Sequence, residues 1–524
     1  MSAAEVRGRR GASDDFMRRP TNSFAVGAIV TMVAGAYAGG LLATEGDPLL
    51  AAPLVGALVG LAVFVRPVVG LYLLVGAALL FEQFEITGIA PLTAQTHFFE
   101  NFSTFSAVPL RLSASDLLAL TTLGSWAVRR AVRANAPARA GPFGWAVAAY
   151  GLAFLYAGIV GAARGGGWDP IVMLAEARGA LYLCLLYFLA TNLVYERRQL
   201  IVLLWEFVLI VGVKGMQGIG NYAQMLNGPQ TFEAVTAHED VVFFDVAIAL
   251  VLVMVALRVR GRLFYVLLAL QPIVLAAELL TQRRSAFAAL TAALAVVALM
   301  SAVDRPRATF IVLAIGMLVT TGYSATFWNS SSRLAEPVRF IREVVDPSSV
   351  AGRDRSSDAW REIENANIAF TVRQLPLTGV GLGQQYLFQQ EPPALTAFVY
   401  WRYIAHNALL WLWLKAGPFG AFAFWFLVGL IVLRGVRLYR QLGDPLLRAA
   451  ASFPVLLTVT QVVFSSVDLG LTYNRTMTVL GVAIGLVAPL GAWLVSEGAL
   501  DRREPASRRD RAVRERPSAP GVPA

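Results

Sequence analysis

The sequence predicts an all-α fold, a polytopic transmembrane helical bundle with one large extracytoplasmic loop, and three observations predict it. Of 524 residues, 57% are hydrophobic and only 15% charged, against about 45–50% and about 25% in soluble globular chains. A mean hydropathy of +0.60 leaves more apolar surface than one soluble core can bury, so lipid is the second solvent. Apolar runs long enough to cross a hydrocarbon core of about 30 Å recur along the whole chain, giving about twelve to fourteen spans.

In order, the runs are 24–43, 49–65, 68–81, 113–128, 143–162, 179–194, 200–217, 241–257, 264–280, 285–302, 308–326, 404–433, 449–466 and 476–495. Runs 68–81 and 113–128 are short enough to be re-entrant rather than spanning. The chain then divides into a cytoplasmic basic tail (1–23), transmembrane helices (24–326), a large extracytoplasmic loop (327–403), C-terminal transmembrane helices (404–495) and a disordered cytoplasmic tail (496–524). The last segment is rich in Arg, Pro, Ser and Ala and cannot bury a core. No internal repeat is visible.

The cations set the orientation. All but Lys214 and Lys415 are arginines, and placing the N-terminus in the cytoplasm puts most of them inside, as short loops require. The N-terminal tail, the Arg129 to Arg139 turn and the Arg434 to Arg448 turn then face inward, with both termini cytoplasmic. Ala36-Tyr37-Ala38 imitates a signal-peptidase site, but the apolar run continues through Leu42, so a retained anchor is expected. The formal charge of +10 is spread over both faces and many span ends, which suits anionic lipid headgroups and not nucleic acid.

Cys184 is the single cysteine, which excludes a disulfide framework, and His97, His238 and His406 are too scattered for metal-ligand spacing. Between Phe327 and Tyr403 hydropathy collapses, and eight arginines face eight acids there. Within it, Asp354 to Phe370 has Trp360, Ile363, Asn367 and Phe370 near one face, which predicts an amphipathic helix lying along the membrane. The stretch Leu375 to Gly383 has glycine spacing without the strand, helix or lysine of a nucleotide loop. A tight backbone turn is the simpler reading.

His406 opens the following span. If the helix already includes Arg402, four residues earlier on the same face, that like charge would disfavour imidazolium and leave a ring able to accept a hydroxyl proton. A satisfied structural histidine is the bland alternative. Arg283 and Arg284 interrupt two apolar runs on the outer side; neighbours on a helix diverge by about 100°, so one is expected to serve a site and one the interface. Arg178 and Lys214 lie on the same unexpected side. Guanidinium groups suit diphosphate oxygens, whereas snorkelling to lipid phosphate better explains Lys214. Glu206, Asp245 and Glu278 lie in or near span ends, where pairing with nearby arginines is expected.

In order, these features resemble the O-antigen ligase and O-antigen polymerase superfamily of bacterial membrane glycosyltransferases, over roughly residues 170–435. The matching pieces are Thr281-Gln282-Arg283-Arg284-Ser285-Ala286, Arg353 and Arg355 upstream of Trp360, Leu375-Pro376-Leu377-Thr378-Gly379-Val380-Gly381, and His406-Asn407 leading to Lys415-Ala416-Gly417. The resemblance implies a fold of the lipid-linked glycosyltransferase type. It also implies transfer of a glycan from undecaprenyl diphosphate to a glycan or lipid-linked acceptor at the outer face of the cytoplasmic membrane, with no metal or other cofactor. His406 would be the base. Arg284 would be the stronger diphosphate ligand and Arg178 a second, with Arg353, Arg355, Arg402 and Asn407 as further substrate contacts. This chain has Arg283 where the family usually has Ser, which leaves the choice between 283 and 284 open. A polymerase shares the donor chemistry, and a transporter or lipid-carrier flippase is the alternative from another class.

Overall fold

The computed structural model describes residues 48–83, 91, 93–106, 109–132, 138–227, 235–330, 332–346, 348, 352–395 and 398–496. The predicted basic tail, the run 24–43 with Ala36-Tyr37-Ala38, and the C-terminal tail beyond Ser496 lie outside these residues. The chain forms two compact units, 1–65 and 66–524. In the first, α1 (Pro48–Val65) is apolar along its length.

The second unit holds α2 (Pro67–Leu80), α3 (Ala114–Val132), α4 (Gly144–Arg164), α5 (Pro170–Leu193), α6 (Arg197–Asn227), α7 (Asp240–Ala256), α8 (Arg262–Thr281), α9 (Arg284–Asp304) and α10 (Pro306–Phe327). After them come α11 (Glu336–Val345), α12 (Gly352–Gln374), α13 (Ala408–Gln441), α14 (Pro445–Ser465) and α15 (Asn474–Gly485), the last running on past a turn at Leu486 to Ser496. The only β pairing among the described residues is an isolated bridge, Asn101 to Ser113. The protein is thus a polytopic all-helical bundle. Nine described helices are long and apolar enough to cross a membrane: α4, α5, α6, α8, α9, α10 and α13 to α15. The expectation of twelve to fourteen spans differs because α2 has 14 residues, α7 has 17, α3 is only moderately apolar, and the run 24–43 and the start of 49–65 are not fully described.

Helix boundaries follow local chemistry. Asp169 and Asp444 accept hydrogen bonds from the first free amides of α5 and α14, each with proline at the helix start. The core is built on α7 and α14. Helix α7 (DVVFFDVAIALVLVMVA) is apolar on all sides and almost wholly buried, packing on α8, α9 and α14. Around it α15 lies along α5, α6 along α8, and α13 along α4 and α14. Helix α10 is the opposite case, exposed along its spanning window, as a lipid-facing helix must be.

Ion pairs and hydrogen bonds identify the two ends of the second unit. Arg139 to Asn192, Arg197 to Asp444 and Arg448 to Asp304 join turns at one end. Gln83 to Asn474, Lys214 to Glu82, His238 to Asp468, Arg284 to Asp358 and His406 to Glu364 lie at the other. Helix polarity alternates consistently between them.

Candidate active site

At the second of these ends, α12 crosses the mouth of α13. The helical reading of Asp354 to Phe370 corresponds to α12, but its docking differs from the expected one. Its covered face is Trp360, Glu364, Asn367, Ile368 and Thr371, turned onto the 387–393 segment rather than lipid. Asn367 donates to Gln390 O (2.7 Å) and accepts from the amides of Gln389 and Gln390 (2.8 and 3.0 Å). Trp360 Nε1 donates to Pro393 O at 2.8 Å. A face this polar is satisfied by backbone, not hydrocarbon. Alternation of apolar and charged residues fits α11 better (EPVRFIREVV).

The face of α12 presents Glu364, with no exposure, to His406. The His406 amide donates to Oε2 (3.0 Å), and ring Nδ1 lies 3.2 Å from Oε1. Trp360 meets the ring edge-on at 5.0 Å between centroids, with Phe398 at 6.1 Å. The imidazole is therefore fixed on one edge by a buried carboxylate and walled by aromatics, while 20% of the side chain stays exposed.

The expected stacking of Arg402 on His406 within one helix does not occur. Asn407 caps α13 by accepting from Leu410 N (3.1 Å), so the helix starts at Ala408. Arg402 sits in the preceding turn, paired with Glu391 (2.7 Å) over the Trp401 ring (4.8 Å). The charge beside His406 is the Glu364 carboxylate.

A second group converges on the 466–473 loop. Asp468 Oδ1 accepts from Tyr473 OH (2.9 Å) and from Leu469 N (2.7 Å), and Oδ2 lies 3.5 Å from His238 Nδ1. Burial alone would raise the Asp468 carboxyl. The His238 contact and the charges of His238, Arg283 and His406 outweigh it and hold the carboxyl below its usual range. Burial, reinforced by Asp468, pushes the Tyr473 hydroxyl well up. Arg283 and His406, far apart in sequence, thus act on one carboxylate.

The other arginines are engaged by protein groups. Arg284 makes a two-pronged pair with Asp358 on α12 (2.9 and 2.6 Å) and reaches Glu343 on α11 (3.3 Å). Arg178 bonds Asn101 (2.7 Å) and Asp116 (3.1 Å). Arg355 donates to Ser348 O at 3.1 Å. Arg353 lies in α12, with its side chain outside the described set. Lys214 does not snorkel: it is 2% exposed, paired with Glu82 and 3.8 Å from Asp240. Asp240 in turn belongs to the fully buried Arg475, which also binds Glu239 (2.7 Å). Nor do Asp245 and Glu278 pair with arginine; they are each other's buried neighbours, and none of their carboxylate oxygens has a hydrogen-bond partner among the described residues.

The glycine stretch is a tight turn with a packing role. Pro418 has no N–H to give Leu414 O, and Gly417 (φ 62°) breaks the helix beside it. The freed carbonyls of Leu414 and Lys415 accept from Val380 N (2.7 Å) and Gly381 N (3.1 Å). A Cβ on Gly381 would lie 2.2 Å from Gly161 N, so backbone crosses backbone there. Lys415, buried, closes the joint with Glu176 (2.8 Å) and Gln384 O (2.5 Å), while Glu176 accepts from Gly383 N (2.6 Å).

Sequence reading passed over Glu364, Asp468, His238 and Arg475. Their signal is contact between distant segments, which no local pattern carries. No curated protein matches the chain. Residues 273–425, which contain Arg283, Arg284, Glu364 and His406, match the family model described as O-antigen ligase.

Proposed function

We propose that the protein transfers a glycan from undecaprenyl diphosphate to an acceptor hydroxyl at the outer face of a bacterial cytoplasmic membrane, with His406 as base. The observation that carries this reading is the His406–Glu364 contact, at the same end of the bundle as Arg283 and Arg284. A carboxylate only accepts, so Nδ1 carries the shared proton, and in the neutral ring that tautomer presents the Nε2 lone pair to an incoming hydroxyl.

As the acceptor oxygen attacks the anomeric carbon, its proton passes to His406 Nε2. The new C–O bond forms while the bond from that carbon to the phosphate oxygen breaks, and its electron pair leaves on the diphosphate. Direct displacement inverts the carbon. Guanidinium charge meets the charge that develops on the leaving group. Arg283 shares the electrostatic neighbourhood of His406, whereas Arg284 would serve by exchanging Asp358 for phosphate.

Orientation follows from the opposite end. The Arg258 to Arg262 turn, Arg305 with Arg307, and Arg434 to Arg448 all lie there, which supports a cytoplasmic assignment for that end and a non-cytoplasmic one for His406. The direction of α15, which runs from the His406 end to the opposite one, supports a cytoplasmic C-terminus.

The test supplies purified protein with an undecaprenyl-diphosphate glycan and candidate acceptors, without nucleotide or added metal. Release of free carrier with a new glycoside is expected, and His406→Ala should abolish it while leaving donor binding nearly intact. Normal turnover of that variant would remove His406 from the role of base. Product length separates a polymerase from a ligase, and carrier movement without acceptor would mark a transporter.

A further inference from the structure

Residues 235–240 form a short approach to α7 in which Val235, Thr236, Ala237, Glu239 and Asp240 are buried and His238 is exposed. The loop is anchored from several sides. Asn221 donates to Val235 O (2.8 Å), Ala237 N to Asp240 Oδ2 (3.1 Å), and Glu239 and Asp240 both hold Arg475. This much fixed backbone around one exposed imidazole is a rigid mount for a side chain. Its Nδ1 lies 3.5 Å from Asp468, whose own charge neighbours include Arg283 and His406. The loop that carries His238 therefore meets the same carboxylate on which Arg283 and His406 act, at the end of the bundle that holds the candidate base.

Resting on the glycosyl-transfer reading above, we propose that His238, braced by Asp468, is a further ligand for the leaving diphosphate, beside the base His406 in function. Nδ1–H faces Asp468, and the exposed Nε2–H donates to the phosphate oxygen that receives the electron pair from the broken anomeric C–O bond. The acceptor proton goes to His406, so no further proton donor is needed. Tyr473 and Leu469 occupy the other oxygen of Asp468, which directs its remaining oxygen to His238.

The experiment measures binding of undecaprenyl diphosphate, without glycan, to the full-length protein, beside transfer kinetics. His238→Gln should weaken binding about tenfold or more, the loss of a charge-assisted hydrogen bond, and raise the donor KM in proportion. His238→Arg should restore binding. Binding of the Gln variant within about twofold of the parent would overturn the proposal. Because Asp468 is buried, Asp468→Asn is read only in folded protein; there it should weaken binding in the same direction, and unchanged binding would count against the bracing role. His406→Ala tests the underlying reading separately: it should keep carrier binding and lose transfer, so a failure of the base assignment cannot be confused with a failure at His238.

Discussion

His406 and Glu364 are joined twice, through the histidine amide at 3.0 Å and ring Nδ1 at 3.2 Å, although they are 42 positions apart. The amide contact fixes where the chain enters α13, and the ring contact fixes which nitrogen faces outward. Glu364→Gln keeps the size but offers an amide that can flip and donate, so the ring loses its fixed tautomer. Turnover should fall by roughly 10²- to 10⁴-fold with donor binding little changed. Steady-state kcat and KM for the donor check it; a KM effect alone would assign Glu364 to binding instead.

The helices were legible because each apolar run is local and its length is set by the bilayer. The site was legible only in part. His406 stood out at the boundary of a polar segment, but Glu364 was one of eight acids there, and its partner is chosen by the crossing of α12 over α13. Hydropathy starts the span after the polar segment at residue 404, whereas the Asn407 cap begins the helix at Ala408, so Arg402 shares no helix face with His406. The period of α12 was visible, yet its buried face holds Glu364, Asn367 and Thr371, because protein backbone covers it. The Asp468 cluster joins three separate turns and has no local signature.

Arg284 ties α9 to the helix that carries Glu364, through Asp358. Its removal should act twice, by loosening α12 and by withdrawing a guanidinium from the donor. Arg284→Ala is expected to raise donor KM and lower kcat, while Asp358→Asn, which touches only the tether, should lower kcat with less change in KM. Kinetics of both variants and their double mutant measure the coupling. Equal KM effects would make Arg284 a tether alone.

The Lys415–Glu176 pair is buried at the joint of α5, the kinked α13 and the glycine turn. Removing one partner strands a charge, so Lys415→Met should cost about 3–5 kcal/mol. Lys415→Met with Glu176→Gln leaves no stranded charge and should recover most of the loss. Thermal unfolding in detergent compares the three proteins; a double variant as unstable as the single one would show that the lysine matters for its bond to Gln384 O.

Asp468 gives a pH prediction with a defined sign. Its carboxyl is held below its usual range in the folded protein: burial acts to raise it, and the His238 contact with the charges of His238, Arg283 and His406 outweighs burial. The unfolded value is about 3.9, so the stabilisation is fully present above that pH and drains away as pH falls below it toward the folded value. Protonation would also release Tyr473 and His238, whose contacts hold the 466–473 loop against α7 and α15. Unfolding temperatures followed from pH 7 down to about pH 3 should therefore drop more steeply, at the acid end, in the parent than in Asp468→Asn, which has no such proton to take up. Parallel curves for the two proteins would mean that Asp468 is not ionised in the folded state, and the electrostatic convergence on it would fall with that result.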